Sequence, residues 1–160
     1  MNNQANESYS DSLLATIESG SSYTMDVGSY RFALGETDRT PYVSFKLAGA
    51  RYYIPRLPRT DYPRWFVVRG TYVTLSGKNL GSAYIVFTQG SAGASWKDVV
   101  EPDILPGYAL PQMATDAGGY AETVAADATG LNVAPDKIGK VTAAWLDQVA
   151  SNMSNTAIED

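Results

Sequence analysis

The run RWFVVRGTYVTL, residues 64–75, constrains the fold of this chain more than any other stretch. Its β-branched and aromatic residues favour an extended, half-buried backbone. In that conformation Trp65, Val67, Arg69, Thr71 and Val73 share one face, and Phe66, Val68, Gly70 and Tyr72 share the other. Both faces are apolar near the start, so the strand needs cover on both sides: a helix on one, and a loop, the C-terminal arm or a partner on the other. Pro63 fixes the backbone just ahead and has no N–H to donate, which suits a strand start or an edge. Trp65 and Phe66 are therefore expected to anchor the fold, with Arg64 and the nearby tyrosines bordering a groove.

Three further runs keep the same rhythm. YVSFKLA alternates Val43, Phe45 and Leu47 with Ser44, Lys46 and Ala48, a strand with one wet face, and RYYIPR extends or pairs with it. SAYIVFTQ follows the hairpin signal SGKNLG, and SWKDVVEP follows the turn GSAGA. The spacing predicts an antiparallel meander of about four strands. Upstream, Ala5, Tyr9, Leu13, Leu14 and Ile17 recur at helical spacing, with Gly20 placed as a left-handed C-cap, which predicts one amphipathic helix over residues 5–18. Residues 22–34 read as either a short helix or an irregular link. Beyond Pro106, YALPQMATD and GYAETVAAD predict a small hairpin or extended arm. Pro135 then opens a last helix whose stripe Ile138, Val141, Trp145, Leu146 and Val149 predicts burial in the core. The expected fold is α+β: an N-terminal and a C-terminal helix packed with a central antiparallel sheet, in one domain over residues 5–150. Residues 1–4 are read as disordered or a tether and 151–160 as a flexible tail.

What the chain lacks narrows its chemistry. With no cysteine there is no disulfide, thiol nucleophile or thiolate metal site, although the redox compartment stays open. With no histidine there is no imidazole base for a serine triad, no imidazole metal ligand and no histidine pH switch. The expected catalytic residues are none, as are the expected metal ligands and cofactors. Paired carboxylates remain, and DVVEPD offers Asp98, Glu101 and Asp103 for acid–base work or calcium; the plainer reading is solvated acids at a strand end, without ion-loop spacing. GSAGAS and DAGGYAE have no phosphate-cradle context and read as turns. The sequence as given shows neither a signal-peptide pattern nor a run of about 18 apolar residues.

Charge is unevenly spread. The net charge is −5, which argues against a general affinity for nucleic acid or an anionic membrane. Yet residues 39–69 hold seven basic side chains, Arg39, Lys46, Arg51, Arg56, Arg59, Arg64 and Arg69, against the single acid Asp61, a local +6 that leaves −11 elsewhere. Tyr42, Phe45, Tyr52, Tyr53, Tyr62, Trp65 and Phe66 are interleaved with them. Arginine among aromatics recognises phosphates, carboxylates, sugars and protein partners. The candidate ligand site is Arg51, Tyr52, Tyr53, Arg56, Arg59, Tyr62 and Arg64. The competing reading has the aromatics packed inward and the arginines paired with acids of the same chain.

The succession DSLLATIESG, YPRWFVV, AYIVFTQ, SWKDVVEPDILPG, LPQMATDAGGYAETV and LNVAPDKIG resembles a family of uncharacterised actinobacterial cell-envelope proteins, over most of the chain. YPRWFVV and the ALP to DAGGYA segment carry the likeness most specifically. The resemblance implies a predicted lipoprotein or membrane-anchored protein with an extracytoplasmic domain of unknown function, held to the membrane only through an anchor absent from this chain. It implies a location and no activity. A helix on a curved antiparallel meander also resembles the cystatin-like and NTF2-like architectures, in which sheet curvature makes a cone-shaped cavity. The expected function is a non-catalytic extracytoplasmic binding or interaction module, its partner a cell-wall polymer or another envelope protein. The alternative is a histidine-free hydrolase or lyase using carboxylates such as Asp98 or Glu101, which a concave pocket holding a carboxylate of raised pKa would favour.

Overall fold

The computed structural model describes residues 1–38, 40–102, 108 and 112–156, the last five without their side chains. Arg39, Asp103, Pro106 and residues 109–111 of the expectations above lie outside the described residues. The chain divides into two compact units, residues 1–122 and 123–160.

In the first unit, α1 (Asn2–Ser8), α2 (Asp11–Ile17) and α3 (Gly20–Gly35) precede four strands, β1 (Phe45–Tyr53), β2 (Arg64–Thr74), β3 (Asn79–Gln89) and β4 (Lys97–Val100). The strands form one antiparallel sheet in the order β1-β2-β3-β4, so the α+β meander read from the sequence is the fold observed. RYYIPR extends β1 rather than pairing with it. The register of β1 against β2 shifts between Ala48 and Arg51, around Gly49 at φ 61°, which a glycine adopts without the penalty of a Cβ.

The single N-terminal helix expected over residues 5–18 is two helices, and the polar opening read as a tether is the first of them. Tyr9 takes a left-handed conformation and ends α1, while the Ser10 hydroxyl accepts the Leu13 N–H at 3.3 Å and caps α2, with Asp11 in its first turn. Gly20 is left-handed as expected, but it opens α3 instead of closing a helix. A Cβ there would meet the Val99 carbonyl oxygen at 3.0 Å, so the close approach of the α2–α3 corner to β4 requires glycine. Residues 22–34 resolve as part of α3. Ala5, Leu14, Val27 and Tyr30 make the core of this helical layer, with Tyr9, Leu13 and Tyr23 against it.

The two faces of β2 are covered as the sequence requires. Tyr53, Val67 and Ala121 form a buried cluster with Trp65, Tyr84, Val86 and Met113 on one face. Its cover is a small hairpin around residues 114–122, in which Glu122 N–H donates to the Ala114 carbonyl and Asp116 N–H to that of Tyr120. The hairpin is tied to the end of β1 by the Ala121 N–H on the Ile54 carbonyl at 2.9 Å. On the opposite face Phe66 stacks on Phe87, ring centroids 5.1 Å apart, and meets Trp96 edge-on at 4.8 Å. The helical layer covers the rest of that face. Asn3 clamps α1 to β1 by donating to the Phe45 carbonyl and accepting its N–H, and Lys97 Nζ of β4 donates to the Ala15 carbonyl of α2.

In the second unit a short 3₁₀ turn at Pro135–Lys137 leads into α4 (Ile138–Thr156). Its stripe does not form the core expected of it: Ile138, Val141, Trp145 and Leu146 are all roughly half exposed or more, Trp145 at 60%. Among the described residues no helix is long and apolar enough to cross a membrane.

Candidate functional site

The helical layer and the sheet do not close fully on each other. Two cavities of about 340 and 380 Å³ lie between them and share Asn2, Glu18, Phe45 and Tyr72 as walls. Asn6, Ser22, Asp26 and Glu101 complete the polar lining of the first, and Met25 and Leu80, both exposed, line it as well. Lys46, Leu47, Ile85, Phe87 and Asp98 line the second.

Glu18 stands at the centre because of the α2–α3 corner. The Ser19 N–H donates to the Asp98 carbonyl at 2.8 Å, Ser21 Oγ to the Val99 carbonyl and Ser22 Oγ to Asp98 Oδ1, both at 3.0 Å. These bonds lay the corner along β4 and hold Glu18 beside Asp98. Glu18 is only 4% exposed, and its Oε2 is buried without a hydrogen-bond partner. Asp98 is also buried, but Ser22 serves it.

Burial pushes the Glu18 carboxyl up to about 8, with the charges of Asp26, Asp98 and Glu101 adding to the effect. Burial likewise pushes Glu101 up to about 7; the Tyr72 hydroxyl moderates the rise and the Asp98 charge adds to it. Asp26 and Asp98 are raised by burial as well. The first cavity has three acidic side chains in its wall and no basic one, in an apolar frame of Phe45 and Tyr72, whose rings meet edge-on at 4.9 Å. Among the described residues no three acidic groups converge as a metal-ion site.

The seven residues proposed from the sequence are distributed over several surroundings. Tyr53 is buried in the core, 1% exposed, with the Arg51 guanidinium 5.3 Å from its ring. Tyr52 lies on the opposite face, largely exposed, 6.2 Å from Phe66. Arg56 is engaged within the chain: its Nε donates to Asp116 Oδ2 at 2.8 Å, and its guanidinium lies 3.9 Å over the Tyr120 ring. Arg64 Nη2 donates to the carbonyls of Pro58 and Arg59, and its guanidinium sits 5.1 Å from the Tyr62 ring, next to the cis Tyr62–Pro63 bond. Arg59 is exposed. Arg64 does line a groove, of about 310 Å³, with Ile54, Pro55, Leu57, Trp65, Phe66 and Trp96, and its Nε is buried there without a partner.

Of the carboxylates named from the sequence, Asp98 and Glu101 reach the cavities. Glu18, Asp26 and Tyr72 were not signalled. Glu18 reads as the solvated end of a helix, and nothing local marks a residue whose burial depends on a corner packing against a strand about 80 positions later. The one available hint is the sequence Glu18-Ser19-Gly20, where a glycine follows an acid at a helix junction.

A family model, described as a domain of unknown function (DUF8094), matches residues 1–159. The chain belongs to that family. It is similar to an uncharacterized lipoprotein of Streptomyces avermitilis, 34% identical over 122 residues, which covers 76% of this chain and 34% of the relative. It is also similar to an uncharacterized lipoprotein of Streptomyces coelicolor, 30% identical over 142 residues, covering 86% of this chain and 41% of the relative. The chain thus spans well under half the length of these curated relatives, and the resemblance to an actinobacterial lipoprotein family of unknown function holds. No solved structure matches the DUF8094 chain, so the cystatin-like and NTF2-like likeness has no experimental counterpart.

Proposed function

We propose that this DUF8094 domain is a non-catalytic ligand-binding module of a longer envelope lipoprotein, facing outward from the membrane, and that its ligand enters the acid-lined cavity between helices and sheet. The lipoprotein names of the two Streptomyces relatives support the location. The unpartnered, buried Glu18 carboxyl in the cavity wall supports the binding role. A protein interior leaves such an acceptor unserved at a cost of about 1–3 kcal/mol, and a ligand that serves it recovers that cost. The test is a fragment screen read by backbone amide shifts. Perturbations confined to Asn2, Glu18, Ser22, Phe45, Tyr72 and Glu101 support a binding cavity; shifts elsewhere alone, or none, count against it.

A second reading, a histidine-free hydrolase, rests on the raised carboxyls of Glu18 and Glu101. Acid–base catalysis needs environments that drive two groups apart, one held neutral and one ionised. Here every carboxyl in the wall of the first cavity is raised, and among the described residues no basic side chain lines that cavity to stabilise a developing oxyanion. Binding therefore has the stronger support. Turnover of chromogenic esters or glycosides that disappears in Glu101→Gln would reverse that preference.

A further inference from the structure

We infer that the acid-lined cavity recognises a ligand through an N–H-bearing organic cation, a primary ammonium or guanidinium group, seated against Glu18 with Phe45 and Tyr72 flanking it. This inference rests on the binding reading above and specifies the ligand class. Three observations converge on it. Glu18 lines the cavity and its buried Oε2 has no hydrogen-bond partner among the described residues, so once the carboxyl ionises it is served only by an N–H or O–H donor. The charged side chains in the wall of the first cavity, Glu18, Asp26 and Glu101, are all acidic, so a positive group is the one that gains from every one of them. Phe45 and Tyr72 are aromatic walls of the same cavity, and aromatic rings attract ammonium and guanidinium ions. A metal ion fits less well, since no three acidic groups converge on one point among the described residues.

The groups facing Glu18 fix how binding depends on pH. From α3 comes Asp26, from β4 Asp98, from the segment after β4 Glu101, and from β2 Tyr72. Lys46 of β1 and Met1 line the adjoining cavity, and α1 contributes the neutral Asn2 and Asn6. Lys97 is held on the Ala15 carbonyl. With Glu18 raised to about 8 and Glu101 to about 7, the empty cavity holds protons at neutral pH that a bound cation displaces. Affinity then rises toward tenfold per pH unit for each proton released, until the carboxyls are ionised in the free protein.

Benzylammonium, with benzyl alcohol as its neutral counterpart, tests this by calorimetry at pH 6 and pH 8. The expected result is that benzylammonium binds on the order of 50-fold more tightly at pH 8 if it displaces the Glu18 proton alone and about 500-fold if it displaces that of Glu101 as well, that proton release appears at pH 6 as a dependence of the heat on buffer ionisation, and that benzyl alcohol binds far more weakly. Glu18→Gln should reduce the pH dependence to the roughly tenfold that Glu101 alone leaves. Because proton release is read on the unaltered protein, the outcome stands even if that variant folds poorly. Equal binding of both probes in the cavity, without proton release, overturns the cation inference and leaves the binding module standing. Binding of neither probe overturns the cation inference, and the fragment screen then decides the module separately.

Discussion

Glu18 and Arg56 carry opposite charges in opposite circumstances. Glu18 is 4% exposed, has an oxygen no group serves, and is surrounded by further acids. Arg56 is exposed, paired with Asp116 at 2.8 Å and laid over Tyr120. The acidic side chains that look scattered in the sequence converge on one cavity, while the basic residues that look clustered separate onto different faces and partners. Clustering along a strand is a poor guide to clustering in space, because successive side chains alternate faces and a bulge resets the alternation. The contrast suggests that unused capacity for binding lies where polar groups are buried without partners, and less where charge is merely dense.

The sharpest break between the two regions is expected at Tyr53, which belongs to the belt by sequence and to the core by position. Tyr53→Ala removes a side chain that is 1% exposed and packed against Val67, Ala121, Trp65 and Tyr84. Its cost should be about 3–5 kcal/mol by chemical denaturation, in the range of large aromatic truncations. A cost below about 1 kcal/mol would mean that the face under the 114–122 hairpin is not a core. Trp145→Ala, by contrast, should change stability by no more than about 0.5 kcal/mol, as for ordinary surface positions, since Trp145 is 60% exposed. A loss of several kcal/mol there would show that α4 is buried in solution.

The next effect in size belongs to the cavity. The folded-state values of Glu18 and Glu101, about 8 and about 7, lie above the ordinary 4.5. Between pH 4.5 and these values the native state keeps protons that the unfolded chain has lost, so stability is full at low pH and falls as pH rises through the window. The part of this loss that Glu18 carries from pH 5 to pH 8 should be on the order of 3 kcal/mol, and Glu18→Gln should remove it. Thermal unfolding followed across that range checks the sign. Stability that rises with pH would mean the carboxyls are ionised and paired in solution.

How far the sequence reveals all this differs between the same two regions. Period-two alternation and the turn residues suffice for the meander, and the doubly apolar start of β2 suffices to require cover on both faces; Phe66 and Trp65 are anchored as that pattern demands. The break at Tyr9 is legible only through Ser10 and Asp11, a capping signal that a continuous apolar stripe outweighs. The cavity is the least legible part. Asp98 and Glu101 stand out as acids at a strand end, but Glu18, Asp26 and Tyr72 join them only through the docking of the α2–α3 corner on β4, a contact made by backbone groups and serines that carry no long-range signature.

The smallest expected effect concerns what remains of the basic belt. Arg51 and Arg59 are exposed, and Arg51 stands opposite Arg69 across the β1–β2 pair, where like charges repel. Exposed cations of this kind attract an acidic polymer weakly and without defined geometry, and the attraction is screened beyond about 8 Å at physiological ionic strength. Replacing both by alanine should therefore lower retention on a polyanionic matrix at low salt, lose that difference at high salt, and leave the unfolding temperature within about 1 °C of the original. Arg56→Ala should act differently, because its partner Asp116 anchors the hairpin turn by accepting the Gly118 and Tyr120 N–H groups. Faster hydrogen exchange at the Ala121 amide, which bonds to the Ile54 carbonyl, is the expected readout for that variant. Should the Arg51 and Arg59 variant instead destabilise the fold and retain polyanion binding unchanged, those two arginines are structural as well.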